Sequence, residues 1–310
     1  MSTSGILLVD KPGGITSHDV VSRVRKLAGT RKVGHAGTLD PMATGLLILG
    51  IDSSTRLLTY LVGLDKEYLA TIRLGFATTT DDAEGEVIGE PVDASGITAD
   101  VLTAAIRPLT GVISQIPSSV SAIKVDGQRS YDRVRAGEEF TLAAREVTVT
   151  VFDVLETRPG ELDVRVECSS GTYIRALARD LGAALGVGGH LTSLRRSRIG
   201  PFSIDEAGSL PNAGTLGDSL MEGLLTPASV AGRLFDSVQL TETERIELQQ
   251  GKRPRLVNLA PHLADSPGPI AAIGQNGGLT GLVSTSAGVA RVLVNFPTTP
   301  RAESKSGAPK

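Results

Sequence analysis

The sequence of 310 residues contains no tryptophan, one cysteine and four histidines. The single cysteine, Cys168, excludes an internal disulfide and a cysteine-based metal cluster. The four histidines stand at positions His18, His35, His190 and His262. Their spacing does not suit a metal ligand set, so we predict that the protein works without a metal.

Long apolar runs are also missing from the sequence. No stretch approaches the roughly 20 apolar residues that cross a membrane, and the first residues lack the basic start of a signal peptide. We therefore expect a cytoplasmic protein with no membrane partner. Aromatic residues make up only 3% of the chain, so each aromatic near a candidate site gains weight as a base-stacking group.

The net charge of −3 by itself argues against a general RNA-binding protein. The basic residues are nevertheless unevenly distributed. Residues 1–60 carry seven Lys or Arg against four acidic residues, and Arg195-Arg196-Ser197-Arg198 forms a tight basic cluster. A basic face suits a ligand with a phosphate backbone. Charge alone leaves a mixed, solvated surface as the alternative.

Hydrophobic periodicity predicts both strands and helices. Predicted strands cover 5–10, 46–49, 68–74, 147–151 and 162–168, and the last two form a hairpin. One predicted helix begins at Thr16 or Ser17, and two others cover 99–109 and 172–185. Residues 34–45 are read as a loop, and Cys168 as a core residue of its strand. From about residue 227 a short helix and apolar runs among glycines (270–273, 279–283 and 289–296) are typical of a small β-rich unit.

One run surrounds a single acid with small residues: Gly34-His35-Ala36-Gly37-Thr38-Leu39-Asp40-Pro41-Met42-Ala43-Thr44-Gly45. Gly37 and Gly45 permit tight turns, and Pro41 favours an extended conformation at Asp40. A carboxylate held in such a loop can act as a nucleophile or as a base. The alternative from composition alone is an Asx turn in which Asp40 binds its own backbone.

Together with four other segments, this run resembles the TruB-type pseudouridine synthases. The run itself is similar to the family motif that carries the catalytic aspartate. The other segments, in the family's order and with similar spacing, are GILLVDKP (5–12), KEY (66–68), SGTYIR (170–175) and HLTSLRR (190–196). The resemblance covers about residues 5–230, and five ordered motifs are far more specific than any one of them.

The resemblance implies an α+β protein with the pseudouridine synthase fold, in which helices flank a mixed, mostly antiparallel central sheet. It implies a catalytic domain at residues 1–230, with an RNA-gripping insertion at about 115–147. Residues 231–298 resemble, more weakly, a small β-rich PUA-like domain that lacks an aromatic patch. Residues 299–310 are polar, and we expect them to be a disordered tail.

The implied reaction converts uridine to pseudouridine at position 55 in the TΨC arm of tRNA, with Asp40 as the catalytic carboxylate. The target base must first leave its stack. Uracil is then detached from C1′ of ribose, turned and rejoined through C5. No electrons are transferred and no group arrives or leaves, so no cofactor or metal is expected. Three roles of Asp40 stay open: attack on C1′, attack on the uracil ring, and removal of a sugar proton.

The resemblance assigns two further side chains to catalysis. Tyr68 is expected to stack on the flipped base and to suit a general base for the C5 proton; a tyrosine on the core face of its strand is the alternative. Arg175 is expected to pair with Asp40 and hold it ionised and oriented; a solvated helix arginine is the alternative. Arg179, one turn further on, is read as a solvated residue without a role.

Five more residues are expected to surround the substrate: His35, Tyr173, Leu194, Asp82 and Lys124. His35 is expected in the gap left by the flipped base, and Tyr173 in the pocket lining. Leu194 is expected to pack near the uracil, with plain core packing as its alternative. Asp82 is expected to help position the RNA or the stacking tyrosine. Lys124 is expected to contact phosphate, unless neighbouring acids leave it in a solvated surface.

Two other functions remain compatible with the sequence. An RNA-binding folding chaperone for tRNA would need the basic faces but not Asp40, and the intact Asp, Tyr and Arg set argues against it. A pseudouridine synthase acting on another RNA is the second alternative, and it is expected to carry long basic extensions. We therefore expect a monomer that binds the TΨC arm of tRNA, with binding that weakens as salt rises.

Overall fold

The computed structural model describes residues 4–118, 124–125, 128–129, 143–210 and 218–296. Its strands are β1 (Gly5–Lys11), β2 (Val33–His35), β3 (Thr44–Ile51), β4 (Lys66–Leu74), β5 (Ala77–Thr78), β6 (Val87–Ile88), β7 (Gly111–Gln115), β8 (Lys124–Val125), β9 (Gln128–Arg129), β10 (Arg145–Arg158), β11 (Glu161–Cys168), β12 (Gly189–Ile199), β13 (Phe202–Ser203), β14 (Gly208–Ser209), β15 (Ser237–Gln239), β16 (Ile270–Ile273), β17 (Leu279–Ser286) and β18 (Val289–Asn295). Its helices are α1 (Ser17–Leu27), α2 (Leu58–Val62), α3 (Ala99–Ile106), α4 (Ile174–Ala184), α5 (Asp218–Glu222), α6 (Pro227–Leu234) and α7 (Glu242–Gln249). No helix within these ranges has the length and apolar character needed to cross a membrane.

One large sheet forms the centre of the fold. Its strand order is β14–β1–β3–β12–β4–β11–β10–β7, with β2 paired to β3 and β13 paired to β12. Within this sheet, the described strand pairs are antiparallel except for β1 with β14 and β3 with β12. This mixed, mostly antiparallel sheet confirms the predicted fold class. The parallel contact between β3 and β12 lies at the centre, next to the loop that carries Asp40.

The first strand is buried on both of its faces, which explains its nearly continuous apolar sequence. Leu7 and Val9 pack in one cluster with Val20 of α1. Ile6 and Leu8 point to the other face and belong to a cluster that includes strands of the C-terminal sheet. Because side chains alternate along a strand, an apolar run without polar interruptions is the pattern expected for a strand covered on both sides.

Most elements predicted from periodicity are present. Helices form at Ser17–Leu27, Ala99–Ile106 and Ile174–Ala184, and the hairpin of β10 and β11 is confirmed. Cys168 is buried in the main core, as predicted. The loop predicted at 34–45 is shorter than expected, since β2 reaches His35 and β3 begins at Thr44. Strand β12, rich in polar residues, was not predicted.

A second sheet follows the catalytic one, in the order β15–β16–β17–β18. Val238, Leu248 and Val283 belong to its own apolar cluster. Leu282 of β17 instead joins Phe202 in the cluster shared with the large sheet. The small β-rich C-terminal unit is therefore confirmed, and it packs on the large sheet. Its division from the catalytic domain at residue 230 stays a prediction. The predicted tail at 299–310 and most of the predicted insertion lie outside the described residues.

The arginines of the basic cluster at 195–198 are paired with partners inside the protein, and one of them is buried. Arg195 donates to both oxygens of Asp10, at 3.0 and 2.8 Å. Arg198 Nη1 lies 2.6 Å from Asp65 Oδ2, and Arg196 is only 1% exposed. The cluster lies on β12 in the middle of the sheet, where adjacent strands and loops supply its partners. A phosphate contact of this cluster stays a prediction.

Candidate active site

A cavity of about 460 Å³ opens where the loop between β2 and β3 faces β4, β12 and the start of α4. Its lining includes Asp40, Lys66, Tyr68, Arg175, Leu194 and Arg196. The volume falls in the range of pockets that hold small ligands. The three residues predicted to be catalytic thus line a single cavity, although they come from distant parts of the sequence.

The loop that carries Asp40 is held by three polar side chains from neighbouring elements. Lys11 Nζ donates to two main-chain oxygens of the loop, at 3.2 and 2.7 Å. Ser17 Oγ donates to the Leu39 oxygen at 3.0 Å and accepts from the Leu39 N–H at 2.8 Å. Arg196 donates to two more loop oxygens, at 3.4 and 3.1 Å. The backbone on both sides of Asp40 is therefore fixed without an Asx turn.

Gly45 allows β3 to approach β12 at the end of this loop. Its φ is +102°, and a Cβ atom at this position would lie 2.3 Å from the main-chain oxygen of Arg196. A side chain is therefore excluded by both conformation and space. Because Gly45 pairs directly with Arg196, the guanidinium of Arg196 comes to lie beneath the loop. Its Nε also donates to the Leu46 oxygen at 2.8 Å.

Arg175 lies in the first turn of α4 and joins two carboxylates. Its Nε lies 3.0 Å from Asp40 Oδ2, with the Arg175 side chain 5% exposed and the Asp40 side chain 37% exposed. Its Nη1 lies 3.3 Å from Asp82 Oδ2 and donates to the Thr80 oxygen at 2.9 Å. The predicted contact with Asp40 is present, and the solvated alternative is wrong. A buried guanidinium thus orients a carboxylate that faces the cavity.

The start of α4 is fixed by a glutamine on β7. The Tyr173 N–H donates to Gln115 Oε1 at 2.8 Å, and Gln115 Nε2 donates to the Tyr173 oxygen at 3.0 Å. Gln115 is 1% exposed, and Tyr173 forms no side-chain cap for the helix. The paired hydrogen bonds set the position of the first helical turn. They therefore help to place Arg175 against Asp40.

Tyr68 lies on β4, opposite Val166 of β11 on one side and Arg196 of β12 on the other. Burial raises the pKa of its phenol, and the Arg196 guanidinium opposes this rise only in part. The phenol is therefore neutral near pH 7, so its surroundings do not supply the ionised base that the sequence left open. Tyr68 is a buried strand residue and also lines the cavity, which suits a stacking ring.

Positive charge dominates the cavity lining. Four cationic side chains and one carboxylate contribute to it: Lys66, Arg145, Arg175, Arg196 and Asp40. Burial lowers the pKa of Lys66 to about 8, and its Nζ donates to the Val62 oxygen at 2.6 Å. Arg145 is exposed at the start of β10. This excess of positive charge favours a ligand that carries phosphate.

The residues predicted to surround the substrate divide into two groups. Tyr173 and Leu194 line the cavity, as predicted, although Leu194 is also 6% exposed and packs in the main core. His35 is not among the described residues that line the cavity. Burial lowers the pKa of its imidazole, so His35 is neutral near pH 7. Its expected contact with RNA beside the cavity stays a prediction.

Asp82 and Arg179 have structural partners that differ from the prediction. Asp82 is buried behind Arg175 and binds its guanidinium, because the loop after β5 turns toward α4. It is not among the described residues that line the cavity. Arg179 is not solvated, since its Nη1 lies 3.2 Å from Asp81 Oδ2. Lys124 lies on β8, and its predicted phosphate contact lies outside what the structure describes.

Four buried polar residues of the site were missed by sequence reasoning: Lys11, Lys66, Gln115 and Arg196. Gln115 was given no role, Lys11 and Lys66 were noted only as members of family-like segments, and Arg196 was read as part of the basic cluster at 195–198. One signal was available at Lys11, which ends a buried apolar strand directly before Pro12. A charged group at such a position must find hydrogen-bond partners, because its burial is otherwise unfavourable.

Two family models match adjacent parts of the chain. The model of the TruB family pseudouridylate synthase N-terminal domain matches residues 25–174, and that of the tRNA pseudouridylate synthase B C-terminal domain matches residues 175–213. The tRNA pseudouridine synthase B of Leifsonia xyli subsp. xyli is 55% identical over 303 residues, covering 96% of this chain and 98% of that protein. The chain belongs to the TruB family. The protein of the same name from Rhodococcus jostii is 64% identical over 212 residues, covering 67% and 69% of the two chains.

Solved structures share the fold of this TruB-family chain. A chain from an H/ACA ribonucleoprotein bound to a substrate RNA containing 2′-deoxyuridine has a TM-score of 0.69 at 22% identity, with 95% of this chain and 85% of that chain covered. A chain of the archaeal box H/ACA Nop10–Cbf5 complex has a TM-score of 0.67 at 22% identity, with 94% and 86% covered. These similarities extend through the C-terminal sheet, which confirms the overall architecture.

The two TruB family models meet inside the site. The first ends at Ile174 and the second begins at Arg175. The first therefore contains Asp40 and Tyr68, and the second contains Arg175 and Leu194. The ion pair between Asp40 and Arg175 connects the two matched regions across the cavity.

Proposed function

We propose that this protein isomerises uridine to pseudouridine at position 55 in the TΨC arm of tRNA, with Asp40 as the catalytic carboxylate. The relatives that match nearly the whole chain are named tRNA pseudouridine synthase B. The observation that carries the proposal is the pairing of Asp40 with Arg175 at the wall of the cavity. A partly exposed carboxylate fixed by a buried guanidinium is suited to act on a bound nucleotide.

The cavity explains how the reaction can be divided among its residues. The flipped uracil enters between the ring of Tyr68 and the side chain of Leu194, both of which line the cavity. Asp40 acts at the reacting uridine, while the glycosidic bond to N1 breaks and the bond from C1′ to C5 forms. C5 releases its proton to solvent and N1 takes up one proton, so the product has the same composition as the substrate. The neutral phenol of Tyr68 supplies a stacking face. Arg175 keeps the carboxylate directed at the substrate throughout.

The cavity must hold the detached base while it turns. The Tyr68 ring and the Leu194 side chain allow a planar base to rotate, because they form few directional hydrogen bonds with it. The backbone of the Asp40 loop, in contrast, is fixed by Lys11, Ser17 and Arg196. A rigid carboxylate beside these two side chains favours rejoining at C5 without loss of the base. Fixed geometry of this kind is a major source of catalytic rate.

Around the cavity, we propose that positive side chains bind the tRNA backbone. Arg145 at the rim and Lys124 on β8 are the proposed phosphate contacts, and His35 fills the gap that the flipped base leaves. The protein acts as a cytoplasmic monomer, with residues 1–230 as the catalytic domain and 231–298 as a PUA-like domain. Binding is expected to weaken as salt rises, through release of counterions from the RNA.

The test compares RNA from a strain lacking the gene with RNA from the same strain that carries either the wild type or Asp40→Asn. Pseudouridine is mapped across total RNA at single-nucleotide resolution. We expect position 55 of tRNA to lose pseudouridine in the deletion strain, to regain it with the wild type and to stay unmodified with Asp40→Asn. If the deletion strain lost pseudouridine at a ribosomal RNA position and kept it at position 55 of tRNA, the proposed substrate would be contradicted. Full modification by Asp40→Asn would contradict the catalytic role and favour a folding chaperone.

A further inference from the structure

Helix α4 presents two arginines, one turn apart, to the same segment of chain. Residues at i and i+4 share one face of a helix. Arg175 contacts the Thr80 oxygen and the Asp82 carboxylate. Arg179 contacts the carboxylate of the residue between them, Asp81, with 3.2 Å between Nη1 and Oδ2. Three successive residues are therefore bound alternately by two guanidinium groups.

Asp81 is the point at which this segment is fixed to the rest of the protein. It is 8% exposed and has a φ of +60°, in the left-handed region. Its Oδ2 accepts a hydrogen bond from Ser118 Oγ at 2.6 Å, and its main-chain oxygen accepts from the Leu191 N–H at 3.0 Å. Arg179 Nη2 also donates to the Ile116 oxygen at 2.8 Å. A strained residue persists only where its surroundings hold it.

The residues of the segment Thr80–Asp82 bind different partners. On one side, Thr80 and Asp82 bind the guanidinium of Arg175. On the other side, the carboxylate of Asp81 binds Arg179 and Ser118. A shift of Asp81 would move both groups that hold Arg175, because they are its direct neighbours in the chain. The carboxylate of Asp81 has no contact with Asp40, so any influence on the reaction must pass through Arg175.

We propose that Asp81 and Arg179 are positioning residues for the isomerisation. They fix the segment Thr80–Asp82, which fixes Arg175, which in turn orients Asp40. This role rests on the proposed function, because it is measured through that reaction. The pair is half-buried, with side chains 28% and 12% exposed, so it is screened less by solvent than an open surface pair.

The structure offers closely matched variants. Asp81→Asn removes the charge but keeps the shape of the side chain and an acceptor for Ser118. Asparagine also tolerates the left-handed region of backbone conformation. Arg179→Gln removes the opposite charge. Asp180→Asn is the control, since Asp180 also pairs with Arg179, at 2.9 Å, but is not part of the segment that binds Arg175. All variants are made in the full-length protein.

The experiment measures the single-turnover rate constant at saturating tRNA, the Kd for the same tRNA and the thermal unfolding temperature. Asp81→Asn and Arg179→Gln are each expected to lower the rate constant by about tenfold, since small displacements of catalytic groups have effects of this order or larger. The Kd is expected to change less than about twofold, because neither residue is proposed to contact RNA. The double variant is expected to be no slower than the slower single variant, because the two residues act as one unit.

Rate constants close to that of the wild type in both folded single variants would overturn the positioning role. So would an equal loss in Asp180→Asn, or a loss that appears only in the Kd. If a charge variant fails to fold, Ser118→Ala is used, with an expected loss of about threefold in the rate constant. Its unfolding temperature is expected to fall modestly, because the buried hydrogen bond to Asp81 is lost. A rate constant equal to that of the wild type in this folded variant would then overturn the role. A wild type that forms no pseudouridine at position 55 would instead contradict the proposed function.

Discussion

The region around the large sheet and the C-terminal unit differ in how many charged side chains they bury and in what those side chains bind. Among the described residues, buried charged side chains near the cavity are Lys11, Lys66, Asp81, Asp82, Arg175 and Arg196. In the C-terminal unit the described residues include one, Glu244. Its carboxylate accepts from the N–H groups of Thr241 and Val257, both at 2.6 Å. It therefore stabilises its own helix start and the neighbouring chain.

The difference shows where the protein keeps groups that are unfavourable to bury. Buried charge lowers stability unless it is fully paired. In the C-terminal unit a single carboxylate satisfies a helix end, which is a structural task. Around the cavity, Lys11 and Arg196 hold the loop of Asp40, and Lys66 binds the end of α2. Arg175, Asp81 and Asp82 connect the start of α4 with the segment behind it. We infer that this region gives up stability for fixed geometry, whereas the buried carboxylate of Glu244 stabilises the C-terminal unit.

The largest expected effect is on chemistry, and it separates the two regions most clearly. Asp40→Asn is expected to lower the single-turnover rate constant at least about a thousandfold, as for removal of other essential catalytic groups. Asp265→Asn makes the same change in the C-terminal unit, where Asp265 accepts from the Ala287 N–H at 2.7 Å. It is expected to leave the rate constant unchanged. Equal losses in the two variants would remove the distinction between the regions.

Two adjacent arginines on β12 test whether the buried charge is structural support for the site. Arg196→Gln is expected to lower the free energy of unfolding by about 3 kcal/mol, because buried loop oxygens lose their donors. Arg195→Gln, which breaks a half-exposed pair with Asp10, is expected to lower it by less than about 1 kcal/mol. Urea unfolding measures both values. A larger decrease in the free energy of unfolding for Arg195→Gln than for Arg196→Gln would contradict the claim that the buried arginine contributes more to stability.

The pH dependence of stability provides a third test. Burial lowers the pKa of Lys11 to about 8, whereas an exposed lysine titrates near pH 10.4. Between these values the unfolded chain binds more protons than the folded chain, so the free energy of unfolding rises with pH. The contribution of Lys11 is expected to be about 2 kcal/mol between pH 8 and pH 10.

The measurement compares urea unfolding of the wild type and Lys11→Met across this pH range. Burial lowers the pKa of Lys66 to about 8 as well, so both proteins keep that part of the rise. The free energy of unfolding of the variant is expected to rise less steeply with pH than that of the wild type. Parallel curves would show that Lys11 keeps an ordinary pKa in the folded protein, which would contradict the effect of burial on its charge.

The smallest effect is expected in the C-terminal unit. Thr241 and Glu244 form a capping box at the start of α7. Thr241→Ala is expected to lower the free energy of unfolding by about 1 kcal/mol and to leave the rate constant for pseudouridine formation unchanged. A lower rate constant in a folded Thr241→Ala protein would show that the C-terminal unit contributes to the chemistry.

Much of this architecture could be predicted from local patterns. The helices at Ser17 and Ile174 have clean apolar periodicity, and β11 of the hairpin alternates regularly. Strand β12 was missed because arginines and serines interrupt its apolar positions. Those polar residues are accommodated by partners from distant strands, which a local pattern does not contain.

The candidate site shows the same limit. Resemblance located Asp40, Tyr68 and Arg175, and the structure places them around one cavity. It gave no reason to expect that Lys11 and Arg196 hold the loop, or that Asp82 binds Arg175. These contacts join residues far apart in the sequence, and each could equally have been a solvated side chain. Only the folded chain determines which charges become buried.

The central claim is that Asp40, held by Arg175, faces a cavity that receives the target base. The most direct test is a crystal structure of the wild type with a TΨC stem-loop that carries 5-fluorouridine at position 55, since fluorine at C5 leaves no proton to release. We predict that the flipped base lies between Tyr68 and Leu194, with the Asp40 carboxylate within about 3.5 Å of the reacting nucleoside. A base that stays stacked in the RNA, or binds outside this cavity, would contradict the account.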